Sequence, residues 1–369
     1  MDRRALLIHP FGIGDALFIT PLIRTLKENG VDQIDLLLGS RTREMFETNP
    51  HVRQIFEWDK STVSKFTGKI RRSVNLIKLF YRIWRNHYQV MFDFSPTGQY
   101  AFLSLFFFWI PMRIGFNFKR RGYFLTHKID LPNGFSEKPM VEYYLELIRQ
   151  LGLETSNQKM EFFLNQNDDR LADEWLRKMK VNLEQPIIAI APGGGESWGK
   201  DARLKRWPTQ NFAVLLQKIL PEQVSAGTIL VFGSKNERHL GDEVSKYVCR
   251  TVFNLCGEIP IRVTASLMKR SIFLLANDSG LAHLAHALDV PVISIFGPVD
   301  PKVYGPHPKH ERAVAITNEG PECRPCYQRF RYQGMCVGVE CLNQLTPENV
   351  YQQIERSHFL NFIKRPVLR

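Results

Sequence analysis

A chain of 369 residues, 44% hydrophobic and 23% charged, is long enough for two domains of ordinary size and too evenly mixed for a disordered or fibrous protein. Its longest apolar run, residues 100–112, is about half the length a membrane-spanning helix needs, and the apolar run at residues 5–8 is too short for a signal peptide, so a cytoplasmic protein is expected. The formal charge of +12 is unevenly placed, because between Lys60 and Ile129 the sole acid is Asp93.

That basic stretch holds Lys60, Lys65, Lys69, Arg71, Arg72, Lys78, Arg82, Arg85, Arg113, Lys119, Arg120, Arg121 and Lys128, with Phe66, Phe80, Tyr81, Trp84, Phe102, Phe106, Phe107 and Trp109 among them. Such a surface suits an anionic partner. No nucleic-acid motif accompanies it, so peripheral contact with the anionic inner face of a membrane, or a phosphorylated glycolipid, ranks above RNA or DNA. The competing reading is a solvated basic helix face over an aromatic core.

In chain order, residues 5–8 form a first strand and residues 9–15 a glycine-rich turn. Residues 16–29 follow as a helix bent at Pro21. Gly12 and Gly14 let the backbone turn tightly and approach a ligand. Leu17 stands where a dinucleotide fingerprint needs its third glycine, so this is a poor Rossmann signature. Asp15, at the start of the helix, is either a general base or a helix cap. Residues 33–38 and 52–58 read as strands, 64–87 as a long basic amphipathic helix, 89–94 as a strand, 100–110 as an apolar helix and 113–116 as a short strand. This alternation gives a doubly wound parallel sheet. A helix at 140–151 and an extended piece at 159–164 close a first domain at residue 165.

The second domain, 166–345, opens with a helix and a buried strand at 186–191, then Pro192-Gly193-Gly194-Gly195. Backbone N–H groups of Gly193 and Gly194 could cradle a phosphate, or the loop could be an ordinary one. Lys205-Arg206-Trp207-Pro208 precedes a helix from Thr209, and strands follow at 228–232 and 251–255. The apolar run 271–276 leads into Asn277-Asp278-Ser279-Gly280 and a helix carrying His283. Asp278 and Ser279 are good N-cap residues, and the free N–H groups at Gly280 offer a site for an anion such as a diphosphate. His283 lies four residues after Ser279 on the same face; the bland alternative is a core histidine. Residues 291–296 make the next strand, and a last helix, opened by Thr346-Pro347, runs to about residue 358.

Three stretches together resemble the heptosyltransferase family of bacterial glycosyltransferases. They are Ile13-Gly14-Asp15 with Thr20-Pro21; Lys205, any residue, Trp207, Pro208; and the run from Asn277 through His283 to the strand ending in Phe296-Gly-Pro-Val-Asp-Pro301. The resemblance implies a GT-B fold, two doubly wound Rossmann-like α/β domains facing a central cleft, with a C-terminal helix (346–369) returning to the N-terminal domain. It implies an inverting transfer from a nucleotide-diphosphate-sugar such as ADP-heptose to a hydroxyl of a lipopolysaccharide-core glycolipid or related glycan. Asp15 would be the base, and Gly12 and Gly14 would lie on the acceptor side. Gly193, Gly194, Lys205, Arg206, Glu237, Asp278, Ser279, Gly280 and His283 would bind the donor. No catalytic metal is expected. Open alternatives are a protein heptosyltransferase, an epimerase of the same architecture and a non-catalytic nucleotide-sugar-binding module.

Four of the six cysteines fall close together: Cys323, Cys326, Cys336 and Cys341. They could hold a structural zinc or iron, as a comparable finger does in some members of the resembling family, or be free thiols.

Overall fold

The computed structural model describes residues 3–58, 66–155, 157–220, 227–334, 336 and 338–363, with backbone alone for 66–73. Lys60 and Lys65 of the basic stretch, with the side chains of Lys69, Arg71 and Arg72, lie outside that description. The chain divides into two compact units, residues 1–135 with 140–158, and residues 136–139 with 159–369. The segment 159–164 thus belongs with the second unit, ahead of the boundary expected at 165.

In unit 1, strands β1 (Arg4–His9), β2 (Gln33–Leu38), β3 (Gln54–Glu57), β4 (Val90–Asp93), β5 (Met112–Asn117) and β6 (His127–Asp130) form one sheet in the order β3-β2-β1-β4-β5-β6. Every pairing is parallel, with Leu7 of β1 opposite Leu36 of β2 and Phe92 of β4. β1 is apolar on both faces because helices cover both sides of a central parallel strand. The helices are α1 (Ile13–Leu17), α2 (Thr20–Glu28), α3 (Phe66–Trp84), α4 (Gln99–Phe106) and α5 (Met140–Arg149). The single bent helix expected at 16–29 is two helices. Pro21 sits in the first turn of α2, where its missing N–H costs nothing, so it starts a helix instead of bending one.

Unit 2 opens with α6 (Gln166–Lys178), whose N-cap Asn165 and Asp168 form a reciprocal capping box. Its sheet runs β12-β11-β10-β7-β8-β9, from β7 (Ile187–Ala191), β8 (Thr228–Val231), β9 (Val252–Asn254), β10 (Leu274–Asn277), β11 (Val292–Phe296) and β12 (Ala313–Thr317), again all parallel. Between them lie α7 (Thr209–Ile219), α8 (Arg238–Tyr247), α9 (Ile261–Lys269), α10 (Gly280–Ala287) and α11 (Pro301–Tyr304). A two-stranded antiparallel hairpin, β13 (Tyr327–Gln328) and β14 (Arg331–Tyr332), and α12 (Glu340–Asn343) carry the cysteine cluster.

The closing helices, α13 (Pro347–Arg356) and α14 (Leu360–Ile363), are grouped with unit 2, where Val350, Ile354, Phe359, Leu360 and Ile363 are buried in the core that holds Phe273 and Leu342. The apolar face of the amphipathic α13 is what decides this, since it covers the sheet beside α7. Among the described residues no helix is long and apolar enough to cross a membrane.

Candidate active site

The carboxyl ends of β7, β8 and β10 converge in unit 2, and parallel α/β sheets bind ligands at that edge. Asn277, the last residue of β10, is fully buried and holds the neighbouring segments together. Its Nδ2 donates to the Pro192 carbonyl at 2.7 Å, and its Oδ1 accepts from the Trp207 N–H at 3.1 Å. Trp207 is pinned further by its indole N–H, which donates to the Leu345 carbonyl at 2.7 Å. Lys205, two residues earlier, is thereby brought up to the start of α10.

There the Lys205 Nζ stands 2.8 Å from Asp278 Oδ2, both side chains being more than nine-tenths buried. The approach is a close ion pair, not an aligned hydrogen bond. His283 completes the cluster with Nε2 3.9 Å from Asp278 Oδ1. Burial lowers its pKa to about 4, more than the Asp278 carboxylate raises it, so the imidazole is neutral near pH 7. The bland expectation of a core histidine is therefore half right, since His283 is buried but faces charge. Trp198 lies under the ammonium, with Nζ 5.1 Å from the ring centroid, and stacks on Tyr327 at 4.8 Å.

Ser279 is the backbone N-cap of α10, yet its hydroxyl makes no capping bond. That corrects the expectation of side-chain capping here: Asp278 is turned to Lys205, and the buried Ser279 Oγ has no hydrogen-bond partner. An unmatched hydroxyl beside the first N–H groups of α10 fits an anionic ligand. Arg206, half-buried beside Lys205, likewise has a buried Nε without a hydrogen-bond partner.

The glycine loop is shaped by packing. A Cβ on Gly193 would run into the Glu237 carboxylate, and one on Gly194 into the Ala202 carbonyl. Glu237, expected to meet sugar hydroxyls, is buried with Oε1 accepting from Gly195 N–H and Oε2 from Ser234 N–H, both at 3.0 Å. In this structure it ties the loops after β7 and β8 together.

In unit 1, Gly12 precedes α1 with φ −77° and ψ 179°, extended backbone that any residue adopts, and Gly14 lies inside α1. Neither position uses the left-handed freedom of glycine. Asp15 sits half-buried in the first turn of α1, where a carboxylate is favoured by the helix N-terminus. His9, just before this turn, is buried among Phe11, Phe94 and Tyr144, and burial lowers its pKa to about 3.

A family model described as glycosyltransferase family 9 (heptosyltransferase) matches residues 76–333. The chain belongs to that family. It is a glycosyltransferase, 23% identical to lipopolysaccharide heptosyltransferase 2 of Salmonella typhimurium over 95% of its own length and 97% of that protein's. The corresponding Escherichia coli K12 enzyme is likewise 23% identical, with the same shares of the two chains. Among solved structures, a family 9 glycosyltransferase of Veillonella parvula superposes with a TM-score of 0.76 at 18% identity, covering 96% of this chain and 97% of that one. E. coli ADP-heptose lipopolysaccharide heptosyltransferase II gives 0.69 at 21%, covering 96% and 98%. The two parallel α/β sheets are those of the GT-B fold.

The zinc or iron expected as possible at the cysteines is not supported. Among the described residues no group of three or more His, Cys, Asp or Glu is placed to hold an ion. Cys326 Sγ donates to the Cys323 carbonyl at 3.0 Å, and Cys336 Sγ accepts from Val339 N–H at 3.2 Å. Burial, with the neighbouring thiols adding to it, pushes Cys326 up to about 12, and burial pushes Cys341 up to about 11, so both are protonated thiols. The member of the cluster with a clear structural task is Arg324 between Cys323 and Cys326, whose guanidinium donates to the carbonyls of Gly297 and Asn318.

Sequence reasoning did not single out Asn277, Trp198 or Tyr327. A polar residue ending an otherwise apolar buried strand was the available signal for Asn277. Nothing local marks the Trp198–Tyr327 stack, which joins positions far apart in the chain.

Proposed function

We propose that this glycosyltransferase moves a heptose from a nucleotide-diphosphate-sugar, ADP-heptose, to a hydroxyl of a lipopolysaccharide-core acceptor on the cytoplasmic side of the membrane. The names of its relatives support the sugar and the acceptor class. The observation that carries the chemistry is the buried Lys205–Asp278–His283 cluster beside the unmatched Ser279 hydroxyl at the start of α10.

In this reading the acceptor oxygen attacks the anomeric carbon from the side opposite the diphosphate, and Asp15 takes its proton as the new bond forms. The bond from the anomeric carbon to the diphosphate oxygen breaks, and its electron pair stays on the diphosphate. Lys205, Arg206 and the N–H groups of α10 offset that charge, which needs no proton donor. A single displacement inverts the anomeric centre. Gly193, Gly194 and Glu237 shape the donor loop, Asp278 positions Lys205, and neutral His283 supports Asp278. Gly12 and Gly14 precede Asp15 at the start of α1, on the acceptor side.

Replacing the base tests the assignment. Asp15→Asn should lower transfer on the order of a thousandfold while the thermal stabilisation given by ADP-heptose stays as in the unaltered protein. Unchanged transfer in that variant would remove Asp15 from the reaction, and absent stabilisation of the unaltered protein by ADP-heptose would overturn the donor.

A further inference from the structure

The surface of unit 1 made by α3, α4 and the links on either side of β5 is out of keeping with a water-soluble exterior. Trp109 is 71% exposed, Tyr123 84%, Ile77 68% and Phe106 54%. Phe102, Phe107 and Tyr81 are exposed with them. These side chains touch one another. Phe102 meets Phe106 at 4.8 Å and Phe124 at 5.3 Å, Phe124 meets Tyr123 at 5.3 Å, and Trp84 joins Trp109 at 6.1 Å. The exposed rings stand on half-buried Phe80, Trp84 and Phe124, which pack in turn on the core. The expectation that these aromatics would be core residues under a basic exterior therefore fails for the outer layer. A solvent-facing aromatic surface of this extent marks an interaction site.

The charge around it selects the partner. Lys119, Arg120 and Arg121 are exposed on the loop that leads to Tyr123, and Lys78, Arg82 and Arg85 are exposed along α3. Arg113 is not part of this set: it is buried, with Nε donating to the Phe124 carbonyl at 2.7 Å and Nη1 to the Ile110 carbonyl at 2.6 Å, so it holds the loop in place. The only acid between residues 60 and 129, Asp93, is buried at the end of β4. Every exposed formal charge in the described part of that stretch is positive. Rings that are apolar in body and polar at one edge, rimmed by lysine and arginine, match the headgroup region of an anionic bilayer.

We propose that this face is a membrane-docking surface, with Phe106, Trp109 and Tyr123 entering the headgroup layer of an anionic leaflet and Lys119, Arg120 and Arg121 lying against its phosphates. Transfer chemistry and donor identity play no part in that assignment, although a lipid-linked acceptor would give it a use.

Vesicle sedimentation tests it with the full chain and no substrate present. Binding is expected to vesicles of phosphatidylethanolamine with phosphatidylglycerol and not to pure phosphatidylcholine, and it should disappear at high salt, where screening shortens to about 3 Å at 1 M. Changing Lys119, Arg120 and Arg121 together to Ser should weaken binding on the order of a hundredfold. Changing Phe106, Trp109 and Tyr123 to Ser should weaken it about tenfold or more. Both variants alter exposed side chains, so their thermal unfolding should match that of the unaltered chain, which separates failed docking from a damaged fold. Equal binding to both vesicle types, no binding to either, or full binding by the aromatic variant would overturn the proposal. So would a self-association in sedimentation velocity that the aromatic variant abolishes while vesicle binding persists, since the face would then serve a second copy of the chain.

Discussion

Lys205 and Asp278 join a proposed ligand role to a structural one in a single pair of side chains. Both are buried, and each is the charge partner of the other at 2.8 Å. Removing one leaves an uncompensated buried charge, which typically costs about 3 kcal/mol, whereas removing both together is far milder. Lys205→Met should therefore lower the stability of unit 2 by about 3 kcal/mol in urea unfolding. Lys205→Met combined with Asp278→Asn should recover most of that loss. On the proposed role of Lys205, neither variant should gain thermal stability from ADP-heptose, because the ammonium assigned to the diphosphate is gone in both. A double variant that is stable and still donor-responsive would mean that Lys205 serves the fold and not the ligand. These positions could be found in the sequence because the motifs that hold them resemble those of the heptosyltransferase family. Their pairing could not, because seventy-odd residues separate them and only the closure of β7 against β10 brings them together. For the same reason the resemblance could point to Glu237 as a donor-binding acid, while its bonds to Gly195 and Ser234 were not legible.

Among elements, the strands with continuous apolar runs were the most legible, because burial on both faces favours apolar side chains along β1, β7, β10 and β11. β6 and β12 were not anticipated. Each is an edge strand with partly exposed side chains, so its apolar signal is diluted. The closing helices show a further limit. Thr346 and Pro347 announced the start of α13 correctly, with Thr346 Oγ1 accepting from Asn349 N–H at 3.2 Å, but capping says nothing about which core a helix joins. Phe359 answers that question, being fully buried in the unit 2 core and 6.4 Å ring to ring from Phe273. Phe359→Ala should destabilise unit 2 by about 3–5 kcal/mol, through lost transfer energy and the cavity left behind. Hydrogen exchange followed by mass spectrometry would show faster exchange across β10 and α13 in that variant. Protection there equal to the unaltered protein would mean that the last helices are not part of the unit 2 fold.

For the whole molecule, the two units carry buried titrating groups of different kinds, and their acid stability should differ in consequence. In unit 2 burial lowers the pKa of His283 to about 4 and lowers that of His286 as well, each from an ordinary 6.5. Above pH 6.5 these histidines are neutral in folded and unfolded chains alike and add no pH dependence. As pH falls below 6.5 the unfolded chain binds protons that the folded unit refuses, so stability declines until the folded pKa is reached. Each such proton contributes about 1.4 kcal/mol per pH unit. Unit 1 holds one histidine of this kind, His9, at about 3, together with a group of opposite effect. Burial, only partly offset by hydrogen bonds from Ser95, raises Asp93 to about 6 from an ordinary 3.8. Between pH 6 and 4 folded unit 1 keeps a proton that the unfolded chain sheds, so lowering the pH through that range stabilises it and cancels much of the His9 loss. Unit 2 should accordingly be the acid-sensitive half, losing stability steeply from pH 6.5 to 4 while unit 1 stays nearly level. Urea unfolding read by exchange mass spectrometry, with peptides from each sheet followed at pH 7, 6, 5 and 4, measures the two slopes separately. His283→Gln should flatten the unit 2 slope by about 1.4 kcal/mol per pH unit and leave unit 1 untouched. Parallel slopes in the two units, or a His283→Gln variant as acid-sensitive as the unaltered chain, would show that buried histidines do not set the response.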